Sequence, residues 1–183
     1  HKILGCVGGV KANLEAGKYG SLEWTFKGLY QDPTDAAIPG GSVLSVANKP
    51  YPVFSGNFTI DGYAGIIKSL SFDMDNKIEQ RVSANAAEGI VGYEIVERET
   101  KGSIDPEAVT IAAHDFWGKW KNSTAEALAI TVGSAAGKKI DITAPGVVFD
   151  SIAWGERSGR RIYTLPFVFA QNAGDDEIKL KFY

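Results

Sequence analysis

The sequence predicts a mainly β protein, a sandwich or barrel of about eight to ten antiparallel strands with one flanking α-helix. Three observations lead to this fold class: alternating apolar and polar runs, turn-forming pairs between those runs, and one stretch with helical spacing. The chain has 183 residues, a length that suits one domain, so residues 1–183 are expected to form a single β domain.

The alternating runs have a period of two residues, as in Leu22, Trp24 and Phe26. Side chains at this period point to opposite faces of a strand, so each run predicts a strand with one apolar face. The clearest runs cover residues 22–27, 54–60, 69–82, 91–98, 163–169 and 178–182. The turn formers that separate them include Asp61-Gly62, Pro145-Gly146, Ser158-Gly159 and Gly174-Asp175.

The segment FDMDNKIE, residues 72–79, has acids at the spacing of a calcium loop. Lys77 stands where such a loop needs an oxygen ligand, and Ile78 stands where it needs glycine. The same residues continue an alternation over 69–82. We therefore interpret the segment as a strand with an exposed charged face, and predict no metal site there.

One amphipathic helix is predicted over about residues 106–121. Asp105-Pro106-Glu107 supplies a capping residue, a proline at the first helical position and an acid in the first turn. Phe116, Trp117 and Trp120 then recur at helical spacing. These three side chains are predicted to pack into the core.

Composition and the reactive residues argue against an enzyme. The net charge is −3, which gives no global basic field for nucleic acid, and no apolar stretch is long enough to cross a bilayer. Cys6 stands alone, and the two histidines form no metal-binding pair. We therefore predict no catalytic residues, no metal and no cofactor.

The order of these features resembles that of bacteriophage tail tube proteins of long-tailed phages. The resemblance lies in GSLEWTFKGLY, in FSGNFTIDGYAGIIKSLSFDMDNKIEQR, and in GIVGYEIVERETKGSIDPEA before the aromatic HDFWGKWKNST. Late strands that end in AGDDEIKLKFY complete the pattern over almost the whole chain. Tubes of type VI secretion systems share this architecture, so the chain also resembles a related injection tube.

The resemblance implies a subunit of hexameric rings that stack into a hollow tube in the virion tail, assembled in the host cytoplasm. Strands of neighbouring subunits would join around an acidic lumen through which DNA passes in transit. Implied partners are other copies of the chain, tail terminator and tail tip proteins, and a tape measure protein inside the lumen, with no membrane. Some relatives carry an additional segment ahead of this core, and whether one is missing from this sequence is left open.

Two groups of residues are candidate sites for such an assembly. The candidate lumen-facing acids are Asp73, Asp75, Glu79, Glu94, Glu97 and Glu99. Nearby cations dilute this acidity, so an outer surface remains an alternative. The long stretch from Gln31 to Pro50 is predicted to become ordered against a neighbouring subunit, through Ala36, Ile38, Val43, Leu44 and Val46.

Two other function classes remain open at this point. A carbohydrate-binding β-sandwich without catalysis would need an exposed, coplanar pair of aromatic rings, and would not need to self-associate. A hydrolase on a similar frame would need carboxylates that face each other across a cleft.

Overall fold

A computed structural model describes residues 2–35, 52–54, 56–134 and 137–183. Within these ranges the chain forms twelve strands and one short helix. In chain order they are β1 Lys2–Glu15, β2 Ser21–Gln31, β3 Thr59–Ile60, β4 Ile67–Asp73, β5 Lys77–Val82, β6 Ile90–Glu97, β7 Lys101–Pro106, α1 Phe116–Lys121, β8 Glu126–Val132, β9 Ile140–Phe149, β10 Ala153–Arg157, β11 Arg160–Ala170 and β12 Lys179–Phe182.

Ten of these strands form one antiparallel sheet, and β5 and β6 form a separate two-stranded ribbon. The path through the large sheet is β2-β1-β4-β7-β11-β9-β8-β3, with β10 beside β11 and β12 beside β9. The predicted mainly antiparallel β fold is therefore confirmed. Among the described strands no hydrogen bonds join β3 to β2, so the sheet does not close into a barrel.

The core lies on one face of this sheet and draws on strands from both of its ends. Val10 on β1 and Ile60 on β3 belong to the same buried cluster, although five strands lie between β1 and β3 in the sheet. Leu165 on β11 lies between them and is fully buried. Each such apolar side chain contributes about 1.5–3 kcal/mol by leaving water. The sheet must therefore fold over on itself, as a sandwich requires.

The predicted strand over residues 69–82 is wrong in one respect, because the chain breaks it into two. β4 ends at Asp73, and β5 begins at Lys77 in the other sheet. Between them Asp75 adopts a left-handed backbone with φ of 43°, which Asp tolerates better than most residues. Asn76 then donates its side-chain amide to the carbonyl of Gly8 at 2.8 Å. This local hydrogen bonding interrupts an alternation that is otherwise continuous.

The β5–β6 ribbon, residues 77–97, is named the arm. Its strands pair antiparallel, with Ile78 opposite Ile95 and Glu79 opposite Glu94. β6 lies close to β1 and β2, but no ladder of hydrogen bonds connects the arm to the large sheet in the described residues. The arm is therefore a ribbon with two open edges.

The predicted helix boundaries are wrong at the N-terminal end. Pro106 is the last residue of β7, and Asp105 accepts hydrogen bonds from the backbone of Lys68 and Ser69 at 2.8 and 2.7 Å. The residues predicted to start the helix therefore connect β7 to β4 through hydrogen bonds. The helix begins only at Phe116, after Asp115 accepts a hydrogen bond from the amide of Gly118 at 2.8 Å.

Candidate assembly surfaces

The six candidate acids lie on the arm and at its two junctions with the large sheet. Glu79, Glu94 and Glu97 are on the arm itself, whereas Asp73 ends β4 and Asp75 follows in the turn. Glu99 lies between β6 and β7, where it forms an ion pair with Lys101 at 3.0 Å. The structure thus brings the acids into one region of the molecule, but spreads them over more than one strand face.

Several of these acids have cationic partners. Asp73 forms an ion pair with Lys11 at 2.7 Å, and this hydrogen bond holds the pKa of Asp73 below its usual value. On the arm, Arg81 contacts Glu94 at 3.0 Å. Lys77 contacts Glu97 at 3.7 Å. These pairs are exposed, so each contributes at most about 1 kcal/mol.

The arm region nevertheless carries the negative charge of the protein. Residues 73–99 contain seven acids and three basic residues, whereas the net charge of the whole chain is −3. The rest of the chain is therefore close to neutral. A negative surface confined to one region repels other anions locally, without repelling identical subunits over their entire surface.

A second surface, which the sequence did not reveal, lies on the edge strand β2. Trp24, Phe26 and Tyr30 alternate along β2 and point to the same side, and each is about half exposed. Ile3 on β1 lies opposite Tyr30 and is equally exposed. The rings of Trp24 and Phe26 are parallel within 2° at a centroid distance of 6.3 Å.

Two glycines allow this surface to form. A side chain at Gly8 would meet the ring of Phe26 at 2.8 Å, so the ring lies across the β1 backbone. A side chain at Gly28 would clash with Ile3 and would lie 2.9 Å from Sγ of Cys6, which places Cys6 on the same side. We call Ile3, Cys6, Trp24, Phe26 and Tyr30 the aromatic face. The alternation of β2 was visible in sequence, but the exposure of its aromatic side chains was not.

The helix residues divide between core and surface. Phe116 is 1% exposed, which confirms its predicted burial. Trp117 is half-buried against the core, and its ring lies 6.2 Å from that of Tyr163. Trp120 is 38% exposed and donates its indole N–H to the carbonyl of Asp150 at 2.9 Å, so its assignment to the core is wrong. With only six residues, α1 is too short to bury three large rings.

A buried carboxylate joins the helix to the sheet. Glu126 at the start of β8 is fully buried and lies 3.2 Å from Nζ of Lys119 and 3.3 Å from Nε2 of His114. Lys119 also contacts Asp61 at 3.0 Å, and this hydrogen bond raises the pKa of Lys119. The His114 ring stacks on Tyr63 at 4.9 Å. Sequence patterns gave no signal for this contact, because its members lie on different elements and share no single periodic pattern.

Ala36, Ile38, Val43, Leu44 and Val46, the predicted inter-subunit residues, lie outside the described residues.

Metal and membrane chemistry were also considered within the described part of the chain. There, no group of three His, Cys, Asp or Glu side chains is arranged to hold a metal ion. No helix in that part has the length and apolar character needed to span a bilayer.

Comparison with known families supplies the decisive observation. The family model of the phage tail tube protein matches residues 1–168. The chain belongs to the phage tail tube protein family. A phage tail tube protein is a structural component of the virion tail that self-assembles with other tail components, and these features hold for this chain. The match includes the arm and the aromatic face and ends before β12. A search of curated proteins gives no match.

Proposed function

We propose that this tail tube protein forms hexameric rings that stack into a hollow tube and conduct DNA during ejection. The observation that supports this most strongly, beside the family, is the number of open strand edges. β2 has a hydrogen-bonded neighbour on one side only among the described strands, and both outer edges of the arm are open. Unpaired backbone groups at an edge favour pairing with another chain. Head-to-tail contacts of this kind close into rings when the rotation between subunits allows it.

The acidic arm region is proposed to face the lumen. Asp73, Asp75 and Glu99 at its junctions, with Glu79, Glu94 and Glu97 on the ribbon, would give the bore a negative potential. DNA is a polyanion, so such a wall would let it pass without binding. A tape measure protein would occupy the same lumen before ejection, and terminator and tip proteins would close the tube ends.

Charge reversal tests the lumen assignment. Tubes of Glu79→Lys with Glu94→Lys should retain DNA at low salt, because lysines along the bore would contact phosphates. Glu156→Lys provides the matched control, because Glu156 is an exposed acid on β10 that lies far from the arm in sequence. Equal DNA retention by both variants would place the arm acids on the outside.

The segment from Gln31 to Pro50 is proposed to contact a neighbouring subunit. Between Ala36 and Val46 this segment contains more apolar residues than a simple turn requires. Deletion of residues 36–46 should leave a folded monomer by circular dichroism that no longer forms tubes by negative-stain microscopy. Normal tubes from the deleted protein would contradict this role.

Electron microscopy of the purified protein tests the function as a whole. Hollow tubes with sixfold end views are expected at high protein concentration. A protein that remains monomeric under all conditions and binds glycans would instead favour the carbohydrate-binding alternative, for which Trp24 and Phe26 would be the exposed pair of rings.

A further inference from the structure

The hairpin of β10 and β11 carries an exposed tryptophan that belongs neither to the arm nor to the aromatic face. Trp154 on β10 lies opposite Tyr163 on β11, and Glu156 lies opposite Arg161. Residues directly opposite each other point to the same side of a sheet, so these four side chains share one face of the hairpin. Tyr163 belongs to the core, whereas Trp154 is 56% exposed. This face therefore begins at the core and continues beyond it.

Two neighbouring rings fix the position of the Trp154 ring. The centroid of the buried Tyr163 ring lies 4.8 Å away, and that of the half-buried Trp117 ring on α1 lies 5.9 Å away. Trp117 in turn donates its indole N–H to the hydroxyl of Tyr163 at 3.4 Å. Trp154 is thus held in place while more than half of it remains exposed. A surface that is already ordered loses little conformational freedom when a ligand binds to it.

The two charged residues beside this ring form no ion pair in the part of the chain that the structure describes. Opposite charges directly across a ladder commonly attract each other, yet Glu156 and Arg161 remain apart. Arg157, by contrast, contacts Asp105 at 3.1 Å. The guanidinium of Arg161 instead lies over the Trp154 ring, 5.8 Å from its centroid. The carboxylate of Glu156 and the guanidinium of Arg161 are therefore available to a ligand.

These groups border an open cavity of about 400 Å³, which is lined by Trp154, Gly155, Glu156 and Arg161. Small-molecule sites have volumes of about 300–1,000 Å³ and combine apolar surface with a few polar groups. Among the described residues, no acceptor receives a hydrogen bond from the indole N–H of Trp154. The cavity thus offers an aromatic surface, a carboxylate that accepts hydrogen bonds, and a guanidinium and an indole that donate them.

The chemistry of this cavity favours a neutral ligand that has both an apolar surface and hydroxyl groups. The carboxylate of Glu156 repels anions, and the guanidinium of Arg161 repels cations. A hydroxyl can donate a hydrogen bond to a carboxylate and accept one from a guanidinium. A pyranose sugar carries such hydroxyls around a face of C–H groups, which can lie flat on an indole ring. A single exposed ring is small for the centre of a protein interface, which buries about 800 Å² per partner.

We propose that this face of the β10–β11 hairpin binds a neutral glycan built of pyranose sugars. Trp154 stacks on one sugar ring, Glu156 accepts a hydrogen bond from one hydroxyl, and Arg161 donates to another. The exposed Arg161 side chain rotates away from the indole ring to admit the sugar, since atoms in close contact would lie about 3.5–4 Å apart rather than at the observed distance. This site goes beyond the proposed function and is independent of it, because all of its residues belong to one subunit.

Calorimetric titration of the unassembled subunit with cellohexaose and with chitohexaose tests the site. Both probes are uncharged and present the flat faces of β-linked pyranoses. At least one of them should bind, and Trp154→Ala should weaken that binding about tenfold or more, because it removes the stacking surface. Dissociation constants weaker than about 10 mM for both probes would overturn the proposal, and so would equal affinities of Trp154→Ala and the wild type.

Variants of Glu156 provide a second test, because Trp154 also packs against Tyr163 and its replacement can disturb the fold. Glu156 is exposed, so its variants should remain folded by circular dichroism. Glu156→Ala should weaken glycan binding about fivefold or more, whereas Glu156→Gln keeps an acceptor oxygen and should retain most of the affinity. Full affinity in Glu156→Ala would contradict the role of the carboxylate and overturn the assignment of this cavity.

Two aromatic residues elsewhere on the surface complete the experiment. Phe182→Ser is the matched control, because Phe182 on β12 is 57% exposed and Trp154 is 56% exposed. This variant should bind the glycan as the wild type does. Trp24→Ala tests the competing surface, since Trp24 stacks on Phe26 in the aromatic face. Loss of binding in Trp24→Ala but not in Trp154→Ala would place the glycan on the aromatic face and overturn the proposal.

Discussion

Replacement of Phe116 by alanine should cost the free subunit more stability than any other change in the helix. The ring is 1% exposed and lies 4.4 Å from the ring of His114. Tyr163 on β11 and Phe149 on β9 follow at 5.7 and 5.8 Å, and Tyr63 lies at 6.2 Å. Removal of a buried phenylalanine ring typically costs about 3–5 kcal/mol. We expect the upper half of that range, because Phe149 and Tyr163 are held on strands of the sheet and cannot move together to close the cavity.

The measurement is urea and thermal unfolding of the unassembled subunit, monitored by circular dichroism. For a chain of this size a loss of about 3–5 kcal/mol lowers the Tm by roughly 6–20 °C. Trp120→Ala is the comparison, because that ring is partly exposed and loses mainly one hydrogen bond to Asp150. We expect about 1–2 kcal/mol for it. A Phe116→Ala protein within 1 kcal/mol of the wild type, or less affected than Trp120→Ala, would refute this account of the core.

Three further predictions concern charged residues. Glu126→Gln should lower the free energy of unfolding of the subunit by about 3 kcal/mol in denaturant titration, because it removes the buried carboxylate beside Lys119. An unchanged midpoint would show that the contact does not contribute to stability. Lys11→Met should raise the pKa of Asp73 in an NMR titration, since Lys11 holds it down. Because the folded pKa of Asp73 is lowered, this pair stabilises the fold above the ordinary Asp pKa, and the difference between the two proteins should disappear as the pH falls through the folded pKa. Calorimetry should find no calcium affinity tighter than about 1 mM, and tight binding that Asp73→Asn abolishes would overturn that expectation.

The sequence predicted those parts of the fold that depend on local pattern. Period-two alternation identified β2, β6, β11 and β12, because a half-buried strand must alternate. The same rule failed at Asp75 and Asn76, where an alternating run contains a turn and changes sheets. Nothing in the side-chain pattern distinguishes a straight strand from two strands that continue its parity.

The helix start shows a second kind of limit. Asp105 and Pro106 are typical of a helix N-terminus, yet Asp105 bonds to β4 and Pro106 ends β7. A carboxylate that accepts backbone N–H groups serves equally well in a cap and between strands, and the choice depends on tertiary contacts. Asp115 provides the actual cap, and it lies only one residue before the aromatic stripe.

Whether a strand face forms a candidate surface depends on what covers that face. The periodic pattern of apolar residues in the sequence does not contain this information. Leu22, Trp24 and Phe26 form one uninterrupted alternation, but of these three only Leu22 packs against the core. Further along, β1 and β2 continue as a pair with the same apolar pattern, and no layer formed by the described residues covers it. An apolar pattern typical of burial, on a ribbon that extends past the described core, is the pattern that a surface covered by another chain would have. In a family whose members assemble into tubes, another copy of the chain is a natural source of that layer.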